Sequence, residues 1–266
     1  MIRFIASDLD GTLLDRQGRL PEEIFPLIAR LSARGILFAP ASGRQYANLR
    51  RLFAPVREHM LFICENGALV KREEKTLFVD PIPVPLVKGV LDAVRQIPGL
   101  YPILCGTDNA YVESDEEPFF TRAREPYTNC FKVDNLDDCI FREPVCKISV
   151  YDPEGSRVHA MKILPGLLKG VRLIPSGEHW CDVAAPTADK GNAILEIRKI
   201  LGFSEDECMA FGDHMNDEGM LRACGHPRAV ANAVPAILGL AEKVIPANTE
   251  GGVLTELETL LREIGG

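Results

Sequence analysis

Short apolar runs alternate with helix-period segments along the first eighty residues. Phe4, Ile5 and Ala6 form a β-leaning run that breaks into a polar loop. Ile24, Leu27, Ile28 and Leu31 then recur at helical spacing behind Pro21-Glu22-Glu23, a proline followed by the acids that suit a helix's first turn. Gly35 supplies a stop. The same reading predicts a strand over 36–39, a helix over 45–53 and a strand over 61–64. Apolar runs at 68–70 and 77–79 flank K-R-E-E-K, which predicts a hairpin with a charged, solvated turn. Strand and helix in alternation predict a parallel sheet covered by helices on both faces.

The rhythm changes at 80–85, where prolines at 81, 83 and 85 mark a linker. Beyond it the pattern predicts a helix over 86–96, strands over 101–105 and 110–113, and a helix over 116–124. Residues 128–144 carry no periodicity. A strand over 145–151 follows, then a helix opened by Asp152-Pro153-Glu154 and strands over 171–175 and 180–184. Alternation resumes at Lys190 with a helix over 190–201, whose stripe includes Ala193, Ile194, Ile197 and Leu201. Ser204-x-x-Glu207 fits a capping box. A strand over 208–211, a helix over 216–223, a strand at 229–230, a helix from Val234, a strand at 243–245 and a helix over 252–264 complete the chain. The expected architecture is α/β: a Rossmann-like parallel-sheet core built from 1–83 and 187–266, interrupted by an inserted α+β cap at 84–186.

Composition narrows the setting. Of the 266 residues, 46% are hydrophobic and 26% charged, which fits a globular protein with a sizeable core. The net charge of −8 is spread over the chain without a basic cluster, so neither nucleic acid nor an anionic membrane is an expected partner. No signal-peptide pattern opens the chain and no apolar run reaches the ~20 residues of a membrane span. The eight cysteines lack C-x-x-C or finger spacing, which predicts reduced thiols and a cytoplasmic protein.

The chemistry starts at S-D-L-D-G-T, where the first apolar run delivers Asp8 and Asp10. Residues i and i+2 of a strand share a face, so both carboxylates can enter one site. Two such charges demand a cation between them or a retained proton. Three other polar groups fall at strand or helix ends, where open α/β sheets hold their ligands. They are Ser42-Gly43-Arg44, Lys190-Gly191 and Gly212-Asp213-His214-Met215-Asn216-Asp217. His59, His159, His179 and His226 are scattered and are read as ordinary residues.

In this order the set resembles the four motifs of the haloacid dehalogenase-like superfamily, Cof-type subgroup, with its large cap between the second and third motifs. The resemblance implies a Mg²⁺-dependent phosphatase acting on a small phosphorylated metabolite, a sugar phosphate or related monoester. It assigns Asp8 as nucleophile and Asp10 as general acid/base. Thr12, Ser42, Gly43, Lys190 and Asn216 would hold the phosphoryl group. Asp8, Asp10 and Asp213 would hold the metal, with Asp217 orienting its water or Lys190. The cap would select substrate. Trp180 and Asp182 share one strand face and Cys181 and Val183 the other, and either pair can face a ligand. Trp180, Asp182 and Arg44 are the candidate specificity residues. Asn66-Gly67 and Asn248…Gly251-Gly252-Val253 resemble two further elements of this branch. A phosphotransferase returning the group to a sugar, and a non-catalytic metabolite-binding protein, are the alternatives. The expected assembly is a monomer or small homo-oligomer.

Overall fold

The computed structural model describes residues 1–265. Its first third runs β1 (Phe4–Ser7), α1 (Ile24–Ser32), β2 (Leu37–Pro40), α2 (Tyr46–Leu52), β3 (Phe62–Cys64), β4 (Leu69–Arg72) and β5 (Lys75–Val79). The middle runs α3 (Val84–Arg95), β6 (Tyr101–Gly106), β7 (Ala110–Val112), α4 (Phe119–Arg124), β8 (Cys130–Lys132), β9 (Val145–Tyr151), α5 (Ala160–Leu167), β10 (Arg172–Pro175) and β11 (Trp180–Ala184). The last third runs α6 (Lys190–Leu201), β12 (Cys208–Gly212), α7 (Glu218–Arg222), β13 (His226–Val230), α8 (Pro235–Leu238), β14 (Lys243–Ile245) and α9 (Gly252–Glu263). The chain divides into two compact units. One holds Met1–Ser42, Leu49–Phe78 and the chain from Asp189 onward; the other holds Gly43–Asn48 and Val79–Ala188.

The first unit is organised on a parallel sheet in the order β14-β13-β12-β1-β2. All four residues of β1 are buried, as a central parallel strand requires. The chain leaves β1 toward β2 on one side, while β12, β13 and β14 extend the sheet on the other. The carboxyl end of β1 is therefore the topological switch point, where such sheets bind ligands. β3, β4 and β5 form a separate three-stranded sheet.

The second unit is a six-stranded sheet in the order β10-β11-β9-β6-β7-β8, antiparallel except where β7 meets β8. Its faces differ. Ile148, Val150, Cys181 and Val183 pack beneath Val87, Val90, Leu91 and Val94 of α3 and Leu164 of α5. The other face carries Tyr101, Tyr151 and Trp180 against Phe119 of α4.

Several sequence expectations are corrected. The acids at Glu22 and Glu23 precede α1, which starts at Ile24, because Pro21 closes a turn there through its carbonyl. In K-R-E-E-K only Glu73 and Glu74 form the turn; Lys71 lies inside β4 and is buried. Asp152 does not open a helix at its own position. Its buried carboxylate accepts from the backbone N–H of Ala160 (2.8 Å) and so caps α5 from eight residues upstream. Within 128–144 lies β8, and beyond it Glu143 gathers hydrogen bonds from Thr107, the Asp108 backbone, Asn109 and Tyr111.

At the β13–β14 edge, Glu256 of α9 accepts from Arg228 Nε (2.8 Å) and Lys243 Nζ (2.5 Å). Burial works to raise the Glu256 carboxyl, but the two cations outweigh it and hold it below its usual 4.5. A depressed folded-state value stabilises the fold above pH 4.5 and loses that contribution as pH falls through the folded value. Glu256→Gln is expected to cost about 2 kcal/mol at pH 7, the half-exposed Lys243 adding little, and the gap to wild type should narrow as pH falls below 4.5. Urea denaturation of both proteins across pH 3–8 measures it; a pH-independent gap would refute the assignment.

Candidate active site

β1 and β12 end in step. The Asp8 N–H donates to the Phe211 carbonyl (3.0 Å), which sets Asp8 beside the Gly212-Asp213 turn. A side chain at Gly11 would begin 2.5 Å from an Asp213 oxygen and its φ is 91°, so only glycine lets the loop after Asp8 pass this close. Thr12 then donates its hydroxyl proton to Asp213 Oδ1 (2.8 Å).

Lys190 is the first residue of α6, whose N-cap Asp189 accepts from the Asn192 N–H (2.8 Å). A cation at a helix N-terminus opposes the macrodipole. Here the ammonium, 1% exposed, turns onto Asp8 Oδ1 (2.5 Å) and Asp217 Oδ1 (2.7 Å). The second Asp217 oxygen accepts from the N–H groups of Asp213 (3.0 Å) and His214 (3.2 Å), tying the turn to the lysine. Burial disfavours the Lys190 charge, but Asp217 and Asp8 outweigh that penalty and hold its pKa above the ordinary lysine range. Burial pushes Asp8 up to about 8, with Lys190 opposing and Asp217 and Asp213 adding to the rise. Burial also raises Asp213, against its bond from Thr12.

Three carboxylates therefore face one ammonium. Oxygens of Asp8, Asp213 and Asp217 lie within 4.8 Å of one another, and an all-oxygen set of this kind fits a hard divalent cation. Because both Asp217 oxygens are already engaged, Asp8 and Asp213 are the carboxylates best placed to ligate. Such an ion would offset the burial, and the neighbouring carboxylates, that raise both.

The other predicted residues are placed unevenly. Ser42 is buried directly beyond Ala41, whose N–H meets the Ser7 carbonyl, so it lies alongside the start of the Asp8 loop. Thr12 reaches the site, but its proton serves Asp213. Asp10 is exposed at the turn, and Asn216 is exposed. Gly43 and Arg44 group with the second unit, as do Trp180 and Asp182. There the alternation is resolved: Cys181 and Val183 enter the hydrophobic core, while Asp182 accepts from Ser149 (2.7 Å) and Lys147 (3.1 Å) on the other face.

Sequence reasoning missed Lys147, which also donates to the Gly43 carbonyl (2.8 Å). It missed Asn232, whose amide holds the Gly11 carbonyl (2.8 Å) and accepts from the Asn248 N–H (3.0 Å). Asn248 in turn donates to the Leu14 carbonyl (2.8 Å). Neither asparagine stands in a catalytic pattern. The N-x-x-x-G-V spacing was the one available signal, and it marks a staple on the Asp8 loop.

A parallel sheet carrying an aspartate at its switch point, with a buried lysine and acidic turn beside it, is a Rossmann-like α/β fold with one acidic site at its carboxyl edge. Residues 5–257 match the haloacid dehalogenase-like hydrolase family, and the chain belongs to it. It is 28% identical to the 5-amino-6-(5-phospho-D-ribitylamino)uracil phosphatase of Escherichia coli, over 98% of this chain and 97% of that one. The HMP-PP phosphatase of Cronobacter sakazakii is 25% identical over 90% and 87%. A solved protein from Eubacterium rectale superposes with a TM-score of 0.87 at 28% identity, covering 97% of this chain and 99% of that one. A Thermotoga maritima protein does so at 0.85 and 26%, covering 97% of each.

The donor set makes a direct prediction. Mg²⁺ at a hundredfold its Kd should stabilise the fold by about 2.7 kcal/mol, read as a rise in thermal midpoint. Asp213→Asn should abolish the rise, and an undiminished rise in that variant would exclude this site as the ion's position.

Proposed function

We propose that the protein is a Mg²⁺-dependent phosphatase that hydrolyses small phosphomonoesters, sugar phosphates or related metabolites, through an aspartyl-phosphate on Asp8. The observation that carries the reading is the buried Asp8 carboxylate at the sheet's switch point, joined to Lys190 and gathered with Asp213 and Asp217. The phosphatases among its relatives support the substrate class.

In this reading an Asp8 oxygen attacks phosphorus as the ester P–O bond breaks, and Asp10 gives its proton to the departing alkoxide. Water then attacks the aspartyl-phosphate and returns a proton to Asp10, releasing phosphate and regenerating the Asp8 carboxylate. Asp10 suits this role because it is exposed at the turn and can meet the leaving group and water. Lys190 keeps Asp8 oriented and neutralises the phosphoryl oxygens, and Ser42 and the Gly43 N–H hold the group in line. Mg²⁺ held by Asp8, Asp213 and the Asp10 carbonyl would supply the remaining positive charge. Asp217 orients Lys190 and the turn, and Thr12 orients Asp213. Arg44, Trp180 and Asp182 are assigned to substrate choice by the second unit, the cap. Eight free thiols and the lack, among the described residues, of any helix able to cross a membrane support a reducing, cytoplasmic setting.

Phosphate release from a panel of phosphomonoesters tests the reading. Wild type with Mg²⁺ should turn over, chelation should silence it, and Asp8→Asn should leave no measurable turnover. Asp10→Asn should lose about 10²–10⁴-fold in kcat. Asp8→Asn with wild-type turnover would refute the mechanism.

A further inference from the structure

The turn Glu65–Gly67 lies outside the acid–lysine group yet touches two residues assigned to phosphate. Glu65 and Asn66 both adopt left-handed backbone, at φ 50° and 57°, and Gly67 follows at 97°. Two of these three are not glycine, and side chains rarely accept that conformation. Something on either side must hold it.

On one side the Asn66 N–H donates to the Ser42 carbonyl (3.0 Å), while the Ser42 N–H donates to the Ile63 carbonyl (3.0 Å). Ser42 is thus clamped between β3 and the turn that leaves it. On the other side Gly67 abuts the start of α6. A Cβ there would stand 2.2 Å from the Asp189 carbonyl oxygen and 2.7 Å from the Lys190 nitrogen. Both neighbours are backbone, so neither can swing away. One tripeptide therefore bears on Ser42 at one end and on Lys190 at the other.

We propose that Glu65–Gly67 is a rigid spacer setting the distance between Ser42 and Lys190, with Asn66 and Gly67 as positioning residues for phosphate. The inference rests on the phosphatase reading above. A phosphoryl group held by a hydroxyl and an ammonium from different elements needs their separation fixed to within a fraction of an ångström. Backbone hydrogen bonds to a strained turn fix such a separation. The left-handed pair is the cost of passing backbone against backbone at Gly67.

Three variants test it: Gly67→Ala, Asn66→Ala and Asn66→Gly, with Gly35→Ala as control. Gly35 has a similar φ of 75° and nothing within 4 Å of a would-be Cβ, so its variant carries backbone strain alone. The readouts, with Mg²⁺ present, are the dissociation constant of inorganic phosphate by calorimetry, kcat and KM on a phosphomonoester, and the thermal midpoint. Gly67→Ala is expected to weaken phosphate and lower kcat/KM each by about tenfold or more. Asn66→Ala should do the same more mildly, and Asn66→Gly, which keeps the N–H and tolerates the conformation, should restore phosphate affinity. Gly35→Ala should lower the midpoint and leave phosphate binding unchanged.

Phosphate affinity in folded Gly67→Ala within about twofold of wild type would overturn the spacer, whatever the midpoint does. Should Gly67→Ala fail to fold, equal phosphate affinity in Asn66→Ala and Asn66→Gly overturns it instead. Failure of the phosphatase reading shows separately, as absence of turnover in wild type, and the calorimetric readout does not depend on turnover.

Discussion

The structure depends on one buried cation. Removing a lysine ammonium from water costs several kcal/mol, and Lys190 tolerates it only because Asp8 and Asp217 each bring a carboxylate oxygen to hydrogen-bond distance. Three elements must converge for that: the end of β1, the first residue of α6 and the turn after β12. Around them the chain packs closely at positions that leave room only for glycine. A Cβ at Gly212 would stand 2.6 Å from that of Asp217, and one at Gly191 would stand 2.4 Å from the Gly219 carbonyl carbon. The close backbone approaches around the site are the geometric price of bringing the ion pair together.

Much of this was legible because the core's chemistry falls at the ends of elements with strong patterns. β1 and β12 are short apolar runs with both faces buried, and α6 begins at Lys190 as its stripe predicts. The polar residues immediately past those runs could only lie at the sheet's carboxyl edge. What failed to show were features set by distant partners. β8 exposes Phe131 and Lys132, so no alternation marks it. α5 takes its cap from Asp152, eight residues away, and the local sequence at His159 contains no stop or start signal.

Lys147 is the clearest illegible case. Within V-C-K-I-S-V-Y it reads as the solvent-facing position of an alternating strand. Its burial follows from the strand beside it: β11 pairs Asp182 with Ser149 and Ala184 with Lys147, which places a carboxylate within reach of the ammonium. The same pairing decides which β11 residues join the hydrophobic core. Period two divides Trp180 and Asp182 from Cys181 and Val183, but it takes α3 and α5, packed on one face, to draw Cys181 and Val183 into the larger core, while Trp180 meets the aromatic cluster under α4.

The charge balance of the site carries a last consequence. With one ammonium against three carboxylates, an arriving phosphomonoester adds negative charge to a pocket that already carries an excess. Lys190 cannot offset it alone, because both neighbouring carboxylates already draw on its charge. On the phosphatase reading proposed above, phosphate affinity and divalent-cation affinity would be coupled, each strengthening the other by the same factor, since the coupling is a property of the ternary state. In the proposed reading, the strained turn at Glu65–Gly67 and the ion pair at Lys190 act on different parts of that energy. One would set where the phosphoryl oxygens rest; the other, together with a bound cation, would set whether a dianion is tolerated there at all.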